Sequence, residues 1–154
     1  MKLKVASCQF PVEAKLEQNL GYVLRQMKSA KSRGAHVAHF SETSLPGYAG
    51  VDIRSMENYD WDRLEEAHLQ VAALAQELKL WVVLGSAHRL SGRHKPHNSL
   101  YIIDDQGRLA ERYDKMFLVG AHRGITNDLK HYTPGSHFCV FEINGARCGA
   151  LICH

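Results

Sequence analysis

Apolar and polar positions recur along this chain in two rhythms, and the switches between them lay out its elements. Residues 3–10 form a β-like run that stops at Pro11, which has no N–H to offer a ladder. Leu16, Leu20, Val23, Met27 and Ala30 then recur at helical spacing, and Gly34 stands where a helix C′ residue belongs. Residues 36–40 predict a short strand, followed by the turn-rich S-E-T-S-L-P-G-Y-A-G. Asp60 is a candidate cap for a second helix whose face carries Trp61, Leu64, His68, Val71, Leu74 and Leu78.

Residues 80–87, L-W-V-V-L-G-S-A, lose the alternation, as a strand buried on both faces does. Residues 99–104 and 108–114 flank D-D-Q-G, and residues 137–143 and 147–153 flank E-I-N-G. Asn144-Gly145 is a strong two-residue hairpin signal. Residues 115–136 read as a long irregular loop, and a loop of that length in a compact domain is usually functional. The pattern is α/β: two β-α units and then hairpins, giving a mixed sheet with helices on one face. Nothing obvious covers the other face. The expectation is a single domain, residues 1–154, cut on its C-terminal side from a larger layered structure.

Composition narrows the function classes. A length of 154 residues suits one domain with a real core. The net charge is +3 and the basic residues are scattered, so no nucleic-acid footprint is expected. The densest group, Lys28, Lys31 and Arg33, lies near the first helix's end, where cations favour the macrodipole. No apolar run approaches the length of a membrane span, and the opening M-K-L-K-V lacks a signal-peptide core. A cytoplasmic protein that engages neither membrane nor nucleic acid is expected. Cys8, Cys139, Cys148 and Cys153 do not make a disulfide framework and are expected to be reduced.

Three segments set a reactive side chain beside a strand end, where rigid strands aim functional groups. They are F-S-E-T-S-L-P-G-Y with Glu42, R-Y-D-K-M-F-L with Lys115, and C-G-A-L-I-C-H with Cys153. Taken singly, each has a plain structural reading. Glu42 could cap a turn, Lys115 could lie on the surface, and Cys153 could pack as a small hydrophobe. In this order, however, the segments resemble the nitrilase superfamily of carbon–nitrogen hydrolases. The resemblance also takes in V-A-S-C-Q-F-P-V, the Asn19 helix, H-N-S-L-Y-I-I-D and Y-T-P-G, and so covers essentially the whole chain.

The resemblance implies an αββα sandwich, of which this chain supplies the N-terminal half, and commonly a homodimer or larger assembly. It implies a Glu-Lys-Cys triad, carried here by Glu42, Lys115 and Cys153. A second acid often assists that triad. Asp128, in T-N-D-L-K-H-Y-T-P-G, is the candidate, one methylene shorter than the family's Glu; the alternative is an ordinary polar loop residue. Ser41 stands where the family commonly has Pro, which alters backbone stiffness rather than chemistry.

The chemistry explains the trio. An amide is a poor electrophile, so a thiolate forms a covalent intermediate that divides one hard step into two. Glu42 would serve as general base, Lys115 as oxyanion stabiliser and Cys153 as nucleophile. Lys115 close by would also favour the thiolate form of Cys153. The implied partner is a small amide, carbamoyl or nitrile substrate, the first two being expected. No metal and no organic cofactor are implied.

Two other readings stay open. One is a non-catalytic interaction module or inactive fragment that keeps the fold, and these 154 residues alone are expected to be inactive. The other is a thiol-based metal or redox protein using Cys148, Cys153 and His154, although no matching partner pair for a zinc site is evident. His88, His94 and His97 surround the S-G-R-H-K-P loop and are expected to be solvated. His36 and His39 are expected on opposite strand faces, and Cys8, Cys139 and Cys148 in the core.

Overall fold

The computed structural model describes residues 2–120 and 127–153. Five strands form one mixed sheet in the order β1-β2-β3-β4-β5. These are β1 (Val5–Cys8), β2 (Val37–Phe40), β3 (Trp81–His88), β4 (His97–Ile103) and β5 (Leu109–Asp114). Two crossover helices, α1 (Leu16–Ser32) and α2 (Trp61–Leu78), make β1, β2 and β3 parallel neighbours. Hairpin connections make β3-β4 and β4-β5 antiparallel. A short helix α3 (Asp128–His131) and a separate hairpin, β6 (Val140–Ile143) with β7 (Ala146–Gly149), complete the order.

The local signals in the sequence explain the helices. Asp60 accepts a hydrogen bond from the Arg63 N–H and caps α2. At the end of α1, Gly34 adopts φ +73° and bonds back to Lys31. Val23 and Met27 of α1 and Leu64 and Val71 of α2 are buried against Ala38, Phe40, Val82 and Leu84 of the sheet.

The other sheet face is not bare. Val37, Val83, Leu100, Ile102 and Tyr113 form a second core with Cys139, Ile143 and Ile152. The chain therefore covers part of this face with its own β6–β7 hairpin and the segment beyond it, correcting the expectation of an uncovered face. Val5 at the sheet's far edge is 54% exposed, so the cover is partial.

Several boundaries differ from the sequence reading: the strand expected over residues 3–10 is confined to Val5–Cys8, and that expected over 137–143 starts at Val140. Residues 115–136 are not uniformly irregular, because α3 lies within them. Strand β4 begins at His97 rather than at residue 99, because pairing of His88 with His97 extends the ladder. The strand expected over residues 147–153 ends at Gly149, whose partner Val140 is the first residue of β6. Cys153 therefore stands four residues past a strand instead of at its tip. Of the cysteines expected in the core, Cys8 and Cys139 are buried, whereas Cys148 is half-buried. His36 lies just before β2, and both it and His39 are exposed. No described helix is long and apolar enough to cross a membrane.

Candidate active site

Strand alternation puts Asn98 and Lys115 on the same side of the sheet as Leu100 and Tyr113, away from the long helices. Glu42 reaches that side because the chain leaving β2 turns back over β3. Within the turn, Thr43 takes φ +47°, and the Leu45 N–H donates to the Gly85 carbonyl at 3.0 Å. Gly85 is required for this path. A Cβ there would lie 1.9 Å from the Ser41 carbonyl oxygen. Asn19, fully buried on α1, braces the far side by donating to the Leu45 and Glu13 carbonyls.

Lys115 follows β5 directly, and its backbone is clamped on both sides. Its N–H donates to Asn98 at 2.8 Å, and its carbonyl accepts from Gly135 at 2.9 Å. Gly135 belongs to the Y-T-P-G turn, and a Cβ on it would lie 2.2 Å from the Asp114 carbonyl oxygen. The same turn is stitched to the loop before β4 through Thr133, whose N–H donates to Pro96.

The side chains then converge. The Lys115 ammonium, 1% exposed, donates to Glu42 Oε1 at 2.7 Å and to Asp128 Oδ2 at 2.8 Å. Asn98 donates to the same Glu42 oxygen at 2.6 Å. Asp128 also accepts from the Tyr48 hydroxyl and the Val119 N–H. Lys115 Nζ lies 5.8 Å from the centre of the Tyr48 ring. A surface lysine is thus excluded, and Asp128 is no ordinary loop residue: α3 brings its shorter side chain into contact.

Burial works against the Lys115 ammonium, but its bonds to Asp128 and Glu42 and their charges outweigh that effect and raise its pKa. Burial likewise works against the Asp128 carboxylate, and the bonds from Lys115, Tyr48 and Val119 still hold its pKa below the ordinary range. Tyr48 is pushed far up, first by burial and then by Asp128, so it remains a neutral donor. Two carboxylates therefore face one cation, a group able to hold positive charge beside reacting atoms and to accept a proton.

Cys153 lies beyond β7 with an exposed side chain and φ +50°, following Ile152, which is anchored in the second core. His154, part of the thiol-based alternative, is outside the described residues. Sequence reasoning missed Tyr48 and Asn98 as partners, although both lie in quoted motifs, P-G-Y and H-N-S. It also misread two histidines. His97 Nδ1 bonds to the Thr133 carbonyl, and His88 bonds to Tyr101 and Arg112, so neither is simply solvated. His94 is exposed, as expected.

A mixed sheet flanked by helices, with the β6–β7 hairpin on its second face, is the fold of nitrilase-type proteins. The chain belongs to the carbon-nitrogen hydrolase family, whose pattern matches residues 4–154. It is 28% identical over 152 residues to the glutamine-dependent NAD(+) synthetase of Acinetobacter baylyi, with 97% of this chain and 26% of that protein covered. It is 26% identical over 144 residues to the deaminated glutathione amidase of Yersinia enterocolitica, covering 88% of this chain and 49% of that one. Among solved structures it resembles a variant of the amidase from Nesterenkonia sp. AN1, with a TM-score of 0.85 at 17% identity, covering 99% and 56% of the two chains. That structure shows covalent addition of the acetamide moiety of fluoroacetamide at the amidase's active site cysteine. The chain spans about a quarter of the length of the synthetase and about half that of the amidases.

Proposed function

We propose that the protein hydrolyses a non-peptide carbon–nitrogen bond, an amide or N-carbamoyl group, with Cys153 as nucleophile, Glu42 as general base and Lys115 as oxyanion stabiliser. The observation that carries this reading is the buried Lys115 ammonium held between Glu42 and Asp128. Burying a cation this thoroughly is costly unless it is fully paired, and here one of its partners is a carboxylate suited to proton transfer.

In the proposed reaction Glu42 takes the Cys153 proton and the thiolate attacks the carbonyl carbon. The resulting oxyanion draws on the Lys115 charge. The intermediate collapses, Glu42 passes its proton to the departing nitrogen, and ammonia or an amine leaves a thioester. Water, deprotonated by Glu42, then cleaves the thioester to the carboxylic acid (or the S-carbamoyl group to a carbamic acid that breaks down to CO2 and ammonia), and Glu42 returns the proton to the departing thiolate. Lys115 and Asn98 both hold Glu42 through Oε1, which leaves Oε2 to carry the proton. Asp128, held by three donors, acts as a positioning residue for Lys115. The left-handed backbone at Cys153 is a conformation that clusters at functional sites, which also favours the assignment.

The test is ammonia release from simple amides by the protein and by its Cys153→Ala and Glu42→Gln forms, paired with mass spectrometry after fluoroacetamide. Loss of turnover in both variants and a single adduct on Cys153 are expected. Undiminished turnover in Cys153→Ala would remove the nucleophile from this scheme.

A further inference from the structure

Strand β5 is an edge of the sheet and delivers Lys115, yet its apolar pattern barely fixes its register. Tyr113 is its one buried apolar side chain. Its ladder with β4 is irregular as well: Ile102 faces Glu111 and Ile103 faces Leu109, which passes over Ala110. A bulge on an edge strand is a place where pairing can slip, and a slip of one residue exchanges the two faces. Lys115 would then leave Glu42 and turn towards the long helices.

On the helix side, the same strand end carries a second buried charge. Asp114, 3% exposed, accepts from the Ser99 hydroxyl of β4 at 2.6 Å and from Arg112 Nε and Nη2 at 2.9 Å each. His97 Nε2 lies 3.9 Å from its other side. The remaining Arg112 nitrogen, Nη1, donates to His88 Nε2 of β3 at 2.8 Å, and His88 Nδ1 bonds to the Tyr101 hydroxyl at 2.9 Å. Arginine only donates, so His88 is the neutral acceptor here. Burial first, and then the Arg112 charge, lower its pKa accordingly. Burial works against the Asp114 carboxylate, but the bonds from Arg112 and Ser99 hold its pKa below the ordinary range, so it stays charged.

A buried ion pair adds little stability that well-packed apolar side chains would not supply. What this one adds is discrimination, because Ser99 and His88 meet Asp114 and Arg112 in one register only. In that register the next residue finds Asn98 for its N–H and Gly135 for its carbonyl.

We infer that Asp114, gripped by Arg112 and Ser99, is a positioning residue that locks the end of β5 in the register sending the Lys115 ammonium to Glu42. Its consequence for turnover rests on the proposed hydrolysis, and its consequence for the strand does not.

The experiment pairs amide hydrogen exchange with steady-state kinetics on Asp114→Ala, Asp114→Asn and Ser99→Ala. In Asp114→Ala the Lys115 N–H should exchange about tenfold faster or more, while the β2 amides keep their protection. For a simple amide, kcat should fall about 100-fold with KM within about twofold, as a displaced catalytic group requires. Asp114→Asn keeps the shape and an acceptor oxygen, and should return kcat to within about tenfold of the native value. Ser99→Ala leaves both charges in place and should show the same pattern at a few-fold size, which keeps the test open if Asp114→Ala does not fold. A kcat that falls only as far as the folded fraction falls, or a Lys115 amide as protected as in the native protein, would overturn the inference. Failure of the native protein to hydrolyse any amide would instead remove the proposed function, and the exchange rates would still decide the lock.

Discussion

Two polar groups on opposite sides of the same sheet, Lys115 buried and His68 half-buried, both have their charged forms disfavoured by burial, yet they end in opposite electrostatic states. On one side, Lys115 sits between two carboxylates and stays charged. On the other, His68 of α2 stacks on Tyr101 at 4.4 Å and bonds to the Ser86 hydroxyl at 2.7 Å, and among the described residues it makes no ion pair with a carboxylate. Burial, helped by His88, lowers its pKa from 6.5 to about 4. The desolvation penalty has the same origin in both places. What differs is the counter-charge: the first group is a place to keep charge, and the second is a neutral hydrogen-bonded packing unit.

The largest expected effect comes from removing the cation. Lys115→Met leaves Glu42 and Asp128 facing each other without a mediator, and should destabilise the fold by about 3–5 kcal/mol. Under the proposed mechanism it should also slow ammonia release by about 100–1,000-fold. Urea unfolding and steady-state assays read the two losses separately. An unchanged urea midpoint would show that the cluster's charges are better solvated than their burial indicates.

The neutral group makes the opposite demand. The folded state disfavours protonated His68, whereas the unfolded chain takes up that proton below about pH 6.5. His68 should therefore subtract up to about 3 kcal/mol as the pH falls from 6.5 towards 4, with no further loss from this group below that. Urea midpoints measured across this range should slope less in His68→Gln. Equal slopes would mean that the imidazole finds a counter-charge after all. At the other cluster the depressed Asp128 carboxyl contributes stability above about pH 4, lost as the pH falls through its folded pKa. Lys115, with its pKa raised, contributes below its ordinary 10.5 and loses that contribution only as the pH rises through its folded value.

A backbone change tests the support for the charged side. Gly85→Ala drives a methyl into the Ser41 carbonyl and should displace the Glu42 turn, at about 1–3 kcal/mol of stability. Its effect on turnover should exceed what that loss alone explains. The smallest effect is expected from Tyr48→Phe, which removes one donor to Asp128 and should cost about 1–2 kcal/mol. Asp128→Asn, which changes the charge as well, should cost more, and denaturant titration of both variants checks the order.

The sequence was most legible where local chemistry decides the outcome. Asp60 as a cap, Gly34 past α1 and the Asn144-Gly145 turn are short-range signals, and each appears as expected. Glu42, Lys115 and Asp128 were legible through ordered motifs, but their contact was not, because 73 residues separate Glu42 from Lys115. Strand ends were misjudged where pairing decides them: β4 gains His97 from its neighbour, and β7 stops where β6 starts. His88 and His97 looked solvated because their partners, Arg112 and Thr133, are distant in sequence.

Strand β3 is parallel to β2 and antiparallel to β4, which has a consequence for the order of assembly. On its β4 side the strands join through short loops, so β3, β4 and β5 pair with little loop-closure entropy to overcome. On its β2 side each strand must wait for a crossover helix. Asn98 and Lys115 belong to the quick side, Glu42 to the slow one. The carboxylate should thus dock last onto a platform already holding its donors, and pulsed hydrogen exchange should find the β4 amides protected before those of β2.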